Sequence, residues 1–352
     1  MSEPGLLEST IARVAAVDSA AAAAAQRDFD AKTKPRGSLG HLETLACQVR
    51  AIRRSQPIGE AAIVVAAADH GIAASGVSAY PREVTAQMVA NFAAGGAAIN
   101  VLARQSGARL IVVDAGVETA IKHPSVRSIR IGAGTADVAA GPAMSLTDAR
   151  RAIDAGIDLA AELAAEGVGL VAIGEMGIGN TTIASLLAAC LLEVDPELVC
   201  GRGTGVDDAG LARKLAAIRQ ALTINQPDTH APLNVLAALG GYEIAFLVGL
   251  ILGAAGEHII VVLDGFITAA AALVAARLAP LSRSAMIAAH LSPEPGHRRI
   301  LDELQLEPLL DLGLRLGEAS GAALAVPLIR SAVALLDEMA TFSSAGVSDA
   351  GR

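Results

Sequence analysis

Six short apolar runs alternate with longer helical stretches along the 352-residue chain, and this alternation constrains the fold more than any other feature. Runs rich in Val and Ile predict strands that are buried on both faces, as in parallel sheets. Most of the stretches between them are long enough for right-handed crossover helices. We therefore expect a three-layer α/β fold with a doubly wound, mainly parallel sheet of about six strands and Rossmann-like topology. The predicted strands are residues 62–68, 109–113, 126–131, 169–173, 258–263 and 285–290, and the predicted helices include residues 84–104, 147–165, 181–192 and 208–222.

Both ends of the chain differ from the middle because they contain helical sequence without buried strands. Residues 1–60 and 300–352 are expected to form one small helical domain that is assembled from both termini. Residues 61–299 then form the large α/β domain.

The composition argues against several classes of partner. The net charge is −9 and aromatic residues make up 2% of the chain, with no Trp. Neither a basic footprint for nucleic acid nor a base-stacking surface is therefore expected. The longest apolar stretch, residues 244–256, is shorter than the roughly 20 residues that span a bilayer, so it predicts a buried core helix. The acidic N-terminus has no signal-peptide pattern, and we expect a cytoplasmic protein without membrane contact.

No metal site is predicted. The three cysteines form no CxxC pair, and the seven histidines show no HExxH or other ligand spacing.

Four acidic residues directly follow predicted strands, and a glycine comes soon after each of them. They are Asp69, Asp114, Glu175 and Asp264. Ligands of open parallel sheets bind beyond the carboxyl ends of the strands, so these acids are candidates for a site. The alternative is that they cap helices or accept hydrogen bonds from loop amides.

Two glycine clusters are candidates for binding an anion. The segment GEMGIGNTT, residues 174–182, places Gly177, Gly179, Asn180 and Thr181 between a strand and a helix, where backbone amides and the helix dipole favour a phosphate. It has no Walker lysine, and a tight strand-to-helix turn is the alternative.

The second cluster, GRGTGVDDAG, contains Gly203 and precedes a helix with Lys214, a cation suited to a phosphate dianion. The alternative is that Asp207 or Asp208 caps this helix and that Lys214 is a solvated charge. These two acids follow glycines rather than an apolar strand, which disfavours a metal-diphosphate mechanism.

Glu318 lies between glycines in LRLGEASGAALAVPL, at the start of an apolar helix. Burial among aliphatic groups would raise its pKa and make it a proton acceptor near neutral pH. The alternative is an acid that complements the positive end of a helix.

Taken together, these segments resemble the nicotinate-nucleotide:dimethylbenzimidazole phosphoribosyltransferase family of cobalamin biosynthesis over nearly the whole chain. The matching pieces are KPRGSLGHLE (residues 34–43), ADHG at Asp69, SAYPREVTAQMVANFAAGGAAIN (residues 78–100), VDAGV at Asp114, GEMGIGNTT, GRGTG followed by Lys214, LGGYEIAFLVG (residues 239–249), LDGF at Asp264, HLSPEPGH (residues 290–297) and LGEASGAALAVPL.

The resemblance implies a homodimer that moves the phosphoribosyl group of nicotinate mononucleotide to 5,6-dimethylbenzimidazole. It implies that Glu318 is the general base, and Glu175 is a plausible second catalytic carboxylate. The nicotinate leaving group departs neutral, so neither a metal nor another cofactor is expected.

The resemblance also implies an aromatic slot for the acceptor base, lined by Tyr80, Gln87, Met88 and Leu316, with core packing as the alternative for Met88. The substrate-binding residues are expected to include Asp264 and the glycine-loop residues named above.

Two other functions stay open at this point. A noncatalytic nucleotide-binding subunit would use the same glycine loops without needing Glu318. A metal-dependent phosphohydrolase would use Asp69, His70, Asp114 and Asp264.

Overall fold

The fold is built on a single six-stranded sheet in which every neighbouring pair of strands is parallel. A computed structural model describes residues 5–54 and 56–348. The strands are β1 (Glu60–Ala68), β2 (Arg109–Gly116), β3 (Val126–Ser128), β4 (Val168–Met176), β5 (Ile260–Leu263) and β6 (Met286–Ala288). Their order, β3-β2-β1-β4-β5-β6, reverses direction between β1 and β4, which is the arrangement of a doubly wound Rossmann-like sheet. The expected fold class is confirmed.

Helices cover both faces of the sheet. They are α1 (Leu6–Arg13), α2 (Ser19–Ala31), α3 (His41–Arg53), α4 (Val84–Ala94), α5 (Ala98–Ser106), α6 (Leu146–Ala165), α7 (Asn180–Leu191), α8 (Asp208–Asn225), α9 (Pro232–Leu239), α10 (Tyr242–Gly256), α11 (Phe266–Leu278), α12 (Pro295–Leu304), α13 (Ser320–Glu338) and α14 (Phe342–Ala345). Helices α10 and α11 pack on one face, while α13, α3 and α5 pack together on the other.

Helix α10 lies at the centre of the molecule because two glycines let it approach α6 closely. A Cβ atom on Gly249 would lie 1.9 Å from the carbonyl oxygen of Ile153, and one on Gly156 would lie 2.1 Å from that of Phe246. Every residue of α10 from Tyr242 to Ala255 is buried, which confirms the predicted core helix. This packing fixes the first turn of α10 beneath the carboxyl ends of β1 and β4.

Some predicted boundaries were wrong. The single helix expected over residues 84–104 is two helices, because Gly95 adopts a left-handed φ of 82° and ends α4. The side chain of Asn100 then accepts a hydrogen bond from the amide of Ala97 at 3.0 Å and starts α5.

Three strands are also shorter than expected. The amides of Ile129 and Arg130 both donate to the carbonyl of Asp114, which ends the regular ladder of β3. His258 has a left-handed φ of 57°, so β5 begins only at Ile260. The predicted strand over residues 285–290 is reduced to the three residues of β6.

The two ends of the chain meet on one side of the sheet. Helices α2 and α3 pack against α13, and the side chain of Lys32 donates a hydrogen bond to the carbonyl of Met339 at 2.8 Å. Helix α1 packs instead against α6 and α10. The division of the chain into two domains stays a prediction.

Among the described residues, two stretches are long and apolar enough to cross a bilayer by length and composition, Val84–Ser106 and Ser320–Glu338. The first is α4 and α5 together, which Gly95 separates. The second is α13, which contains Pro327 and packs against α3 and α5.

Candidate active site

A cleft opens at the carboxyl edge of the sheet, beyond β4, β5 and β6. It is lined by Glu175 and Met176 at the end of β4, by residues 177, 178, 180 and 181 after it, by Gly203 and Thr204, by residues 265–267 after β5, by His290, Ser292 and Glu294 after β6, and by residues 314–317. Of the predicted site residues, the structure therefore brings Glu175, Gly177, Asn180, Thr181, Gly203 and Leu316 together around one opening.

Glu175 lies near the end of β4 and is one of the carboxylates of the cleft. Its side chain accepts a hydrogen bond from the side-chain amide of Asn180. Burial raises the pKa of Glu175 to about 8, and the negative charges of Asp264, Glu243 and Glu318 act in the same direction. The group is therefore protonated more readily than an ordinary glutamate.

Glu318 follows the cleft-lining residue Gly317 and is 5% exposed. Its carboxylate accepts no hydrogen bond from the residues that the structure describes. Burial raises its pKa to about 7, with a smaller contribution from the charge of Asp264. A carboxylate with this pKa can take up a proton near neutral pH.

The backbone around Glu318 is left-handed over three consecutive residues, with φ values of 80° at Gly317, 63° at Glu318 and 62° at Ala319. Left-handed φ values are uncommon for residues other than glycine, and such strain is often found at functional sites. The turn brings this segment against β4, since a Cβ atom on Gly317 would lie 2.6 Å from Oε1 of Glu175. Glu175 and Glu318 are thus neighbours.

Asp264 fixes the position of this turn. Its Oδ1 accepts hydrogen bonds from the amides of Gly321 at 2.7 Å and Ala322 at 3.0 Å, at the start of α13. It is 1% exposed and does not line the cleft. Burial raises its pKa. Two roles were considered for Asp264, and the structure shows the one in which it accepts hydrogen bonds from backbone amides. Direct contact with a substrate stays a prediction.

The cationic side of the site is formed by Lys214, which contacts the glycine loop at Thr181. Lys214 on α8 is fully buried, and its Nζ donates to Oγ1 of Thr181 at 3.1 Å and to the carbonyl of Gly201 at 2.9 Å. The alternative of a solvated helix charge is therefore wrong for this residue. Burial lowers the pKa of Lys214. The side chain of Asp207, as considered from sequence, caps α8.

The amino end of α7 completes the cationic side. Gly179 caps the helix with a left-handed φ of 96°, and the helix begins at Asn180. The amides of Asn180 and Thr182 donate within the turn, to the carbonyls of Gly177 at 3.2 Å and Gly179 at 2.9 Å. The positive end of the helix dipole still favours an anion at this point.

Sequence analysis missed three cleft residues that lie within the HLSPEPGH segment. Oε1 of Glu294 accepts a hydrogen bond from the amide of Gly203 at 2.8 Å. His290 and Ser292 also line the cleft. The available signal was their place at or after the end of a predicted strand, because His290 ends the strand predicted over residues 285–290 and Ser292 and Glu294 follow it. Glu294 is the acid among them, and it does not follow the strand directly.

Three residues of the expected acceptor slot lie outside the cleft lining. Tyr80 precedes α4 and is 54% exposed, while Gln87 is exposed and Met88 is half-buried on that helix. Helix α4 nevertheless contacts the glycine loop, because Oγ1 of Thr85 accepts a hydrogen bond from the amide of Ile178 at 3.1 Å. Their place in a slot stays a prediction.

The acids at the ends of β1 and β2 hold loops. Asp69, directly after β1, accepts a hydrogen bond from the amide of Glu118, and Asp114, within β2, accepts one from the amide of Val117, each at 2.8 Å. Bonds to loop amides are the alternative role that was considered for both acids. Within residues 5–54 and 56–348, no three His, Cys, Asp or Glu side chains are arranged to hold a metal ion.

The chain is similar to known proteins along nearly its whole length. Residues 14–347 match the family model described as phosphoribosyltransferase. A nicotinate-nucleotide–dimethylbenzimidazole phosphoribosyltransferase of Roseiflexus sp. (strain RS-1) is 53% identical over 97% of this chain and 98% of its own length. The protein with the same description from Chloroflexus aurantiacus is 53% identical over 98% of this chain and 99% of its own.

The solved structures give the same result. The crystal structure of the nicotinate-nucleotide-dimethylbenzimidazole phosphoribosyltransferase from Thermus thermophilus is 46% identical to this chain. The match has a TM-score of 0.89 and covers 95% of this chain and all of that one. The resemblance drawn from the sequence is confirmed, and the chain belongs to the nicotinate-nucleotide:dimethylbenzimidazole phosphoribosyltransferase family.

Proposed function

We propose that this protein transfers the phosphoribosyl group of nicotinate mononucleotide to 5,6-dimethylbenzimidazole, giving α-ribazole 5'-phosphate and nicotinate. One observation carries the proposal. Two buried carboxyl groups with raised pKa values, Glu175 in the cleft lining and Glu318 next to the lining residue Gly317, lie near a buried cation, Lys214, which contacts Thr181 at the amino end of α7. The reaction requires both a proton acceptor and a phosphate site.

The cationic side binds the 5'-phosphate. Its oxygens face the amino end of α7, where the helix dipole favours negative charge and where Gly177, Gly179, Asn180 and Thr181 form the turn. Lys214 adds positive charge from beneath, through its contact with Thr181. This arrangement directs the ribose toward the carboxylates.

Glu318 acts as the general base. A ring nitrogen of the acceptor attacks the anomeric carbon while the bond to the pyridinium nitrogen breaks, and the bonding electron pair goes to that nitrogen, so nicotinate leaves with an uncharged ring. The configuration at the sugar carbon is inverted. The proton on the other imidazole nitrogen passes to Glu318, whose carboxylate has no competing hydrogen bond within the described chain. Glu175 lies beside it and is placed to orient the substrate or relay the proton.

The acceptor ring is proposed to bind near Leu316, which lines the cleft and is 55% exposed. An exposed apolar side chain at a cleft edge can pack against a flat ring. Tyr80, Gln87 and Met88 would contribute from the α4 side, with Gly203 and Asp264 supporting the nucleotide end. We expect the protein to act in the cytoplasm and to need no metal or other cofactor.

The first prediction concerns the reaction. Purified protein with nicotinate mononucleotide and dimethylbenzimidazole is expected to release nicotinate and α-ribazole phosphate in equal amounts, measured by chromatography. A chelator in the mixture should leave the yield unchanged, because the described residues offer no cluster of metal ligands. Nucleotide binding without product would instead indicate the noncatalytic alternative, and release of free phosphate that the chelator stops would indicate the phosphohydrolase.

A second prediction tests the base. Glu318→Gln keeps the shape of the side chain but cannot accept the proton, so we expect kcat to fall by about 10²- to 10⁴-fold. The affinity for nicotinate mononucleotide, measured by calorimetry, should persist. Glu193→Gln is a matched control, since Glu193 is also left-handed, with a φ of 54°, and lies outside the cleft lining. Unchanged turnover in Glu318→Gln would remove this residue from the mechanism.

A third prediction concerns pH. Because the pKa of Glu318 is raised to about 7, its carboxyl group is protonated and inactive as a base below that value. The rate should therefore fall as the pH decreases through about 7, and not only near the ordinary glutamate pKa of about 4.3. This acidic limb should be missing from the residual activity of Glu318→Gln. A limb that persists there would belong to another group.

We also propose that two copies associate. The α4–α5 region is apolar, but only 28% of its most apolar 18 residues is buried within the chain. Val101 on α5 is 48% exposed. Exposed apolar patches of this kind mark interaction surfaces.

The fourth prediction is that light scattering will give twice the mass of one chain. Val101→Glu should shift the protein toward the monomer, because it places a charge in the expected interface. Leu281→Glu, at a residue that is 50% exposed and lies elsewhere, should not. A monomeric wild-type protein would contradict the proposal.

A further inference from the structure

We infer that His70 and Glu243 form a buried positioning pair that holds the glycine loop of the cleft in its binding conformation. The inference rests on the proposed function, which supplies the nucleotide as ligand. Neither residue lines the cleft, so each would act through the loop.

His70 and Glu243 are far apart in the sequence, and they meet where the strand order reverses between β1 and β4. His70 is the second residue after β1, and Glu243 is the second residue of α10. Both side chains are fully buried, and Nε2 of His70 lies 2.8 Å from Oε1 of Glu243. Because a carboxylate oxygen can only accept, this imidazole carries a proton on Nε2.

The imidazole ring fills the space above two glycines. A Cβ atom on Gly177 would lie 3.1 Å from Nε2 of His70, and one on Gly241 would lie 2.4 Å from its Cε1. Gly177 belongs to the loop that lines the cleft, and Gly241 caps α10. The ring therefore contacts the cleft loop on one side and the first turn of α10 on the other.

Stability alone does not account for this pair. Removing two ionisable groups from water costs several kcal/mol each, and apolar residues of similar size are often at least as stabilising. In addition, Nδ1 of His70 and Oε2 of Glu243 are buried without a hydrogen-bond partner in the described part of the chain. Because burying the pair costs free energy, we explain the pair by the glycine loop that it positions.

The pair also contributes to the charge of the site. Glu243 is one of three acids that raise the pKa of Glu175, together with Asp264 and Glu318. The side-chain amide of Asn180 acts in the opposite direction. The pair thus faces both the loop and one of the cleft carboxylates.

The test uses three variants of the full-length protein: Glu243→Gln, His70→Gln, and both together. Each single variant leaves one buried polar group without its charged partner. We expect each to raise KM for nicotinate mononucleotide at least tenfold, with a smaller change in KM for dimethylbenzimidazole. In the double variant, two amides can form a neutral hydrogen bond across the same distance, so we expect KM to recover toward the wild-type value.

A matched control is another buried ion pair, Lys34–Glu43, whose atoms lie 2.7 Å apart with side chains 6% and 4% exposed. Glu43→Gln should lower the midpoint of thermal unfolding without changing KM, because Glu43 bonds to Lys34 and to the amide of Leu39 and not to the glycine loop. If Glu243→Gln behaves in the same way, the pair is structural only and the inference is wrong.

A fourth variant tests the same inference with the pair intact. Gly177→Ala places a methyl group against Nε2 of His70 and 2.5 Å from the carbonyl of Ala68, so it should displace the loop and raise KM for the nucleotide as the single variants do. An unchanged KM would overturn the inference, including in the case where the pair variants do not fold.

Failure of the proposed function would give a different result. If the wild-type protein makes no product, calorimetric affinity for nicotinate mononucleotide replaces KM in every comparison. Tenfold weaker binding by the single variants then supports the positioning pair. Variants that bind as tightly as the wild type, or a wild type that does not bind the nucleotide at all, would overturn it.

Discussion

The position of the proposed base depends on one carboxylate that does not line the cleft. Asp264, at the end of β5, accepts two amide hydrogen bonds from the start of α13 and so fixes where that helix begins. The chain must then turn through three left-handed residues before the helix, and Glu318 is the middle one. A shift of this helix start by one residue would move the base away from Glu175. The position of the proposed base is therefore set by a capping interaction as much as by the residues of the cleft lining.

The proton-accepting groups and the cation of the site are different residues with opposite responses to burial. Burial raises the pKa of Glu175 to about 8 and that of Glu318 to about 7, whereas it lowers the pKa of Lys214. Lys214 contacts the glycine loop through Thr181. Under the proposed function, Lys214 and the amino end of α7 attract the anionic phosphate. Carboxyl groups with raised pKa values carry little charge near neutral pH, so they repel the phosphate weakly and can exchange a proton with the acceptor ring.

The sequence predicted the features that depend on neighbouring residues, and it missed those that depend on distant ones. Buried strands and the glycine turn before α7 follow from local composition, but the break at Gly95 was missed because apolar residues continue on both sides of it. The buried state of Lys214 could not be predicted, because its solvent is excluded by packing of α8 against α7. The contact between Glu294 and Gly203 joins residues 91 positions apart, and His70 and Glu243 are 173 apart.

The glycines of the cleft have a second physical reason beside anion binding. A side chain on Gly317 would meet the carboxylate of Glu175, one on Gly177 would meet His70, and one on Gly174 would lie 2.0 Å from the amide of Ala319. Each of these glycines allows an acid, an imidazole or a backbone turn to approach β4 closely. The glycine pattern indicates a phosphate loop from sequence alone. The close packing of the ionisable groups requires the same glycines. Gly177 belongs to the loop proposed to bind the phosphate, and it also contacts the His70 ring. The partner of His70, Glu243, contributes to the raised pKa of Glu175. For this reason a substitution in the proposed phosphate loop is expected to affect the proposed proton-accepting groups as well.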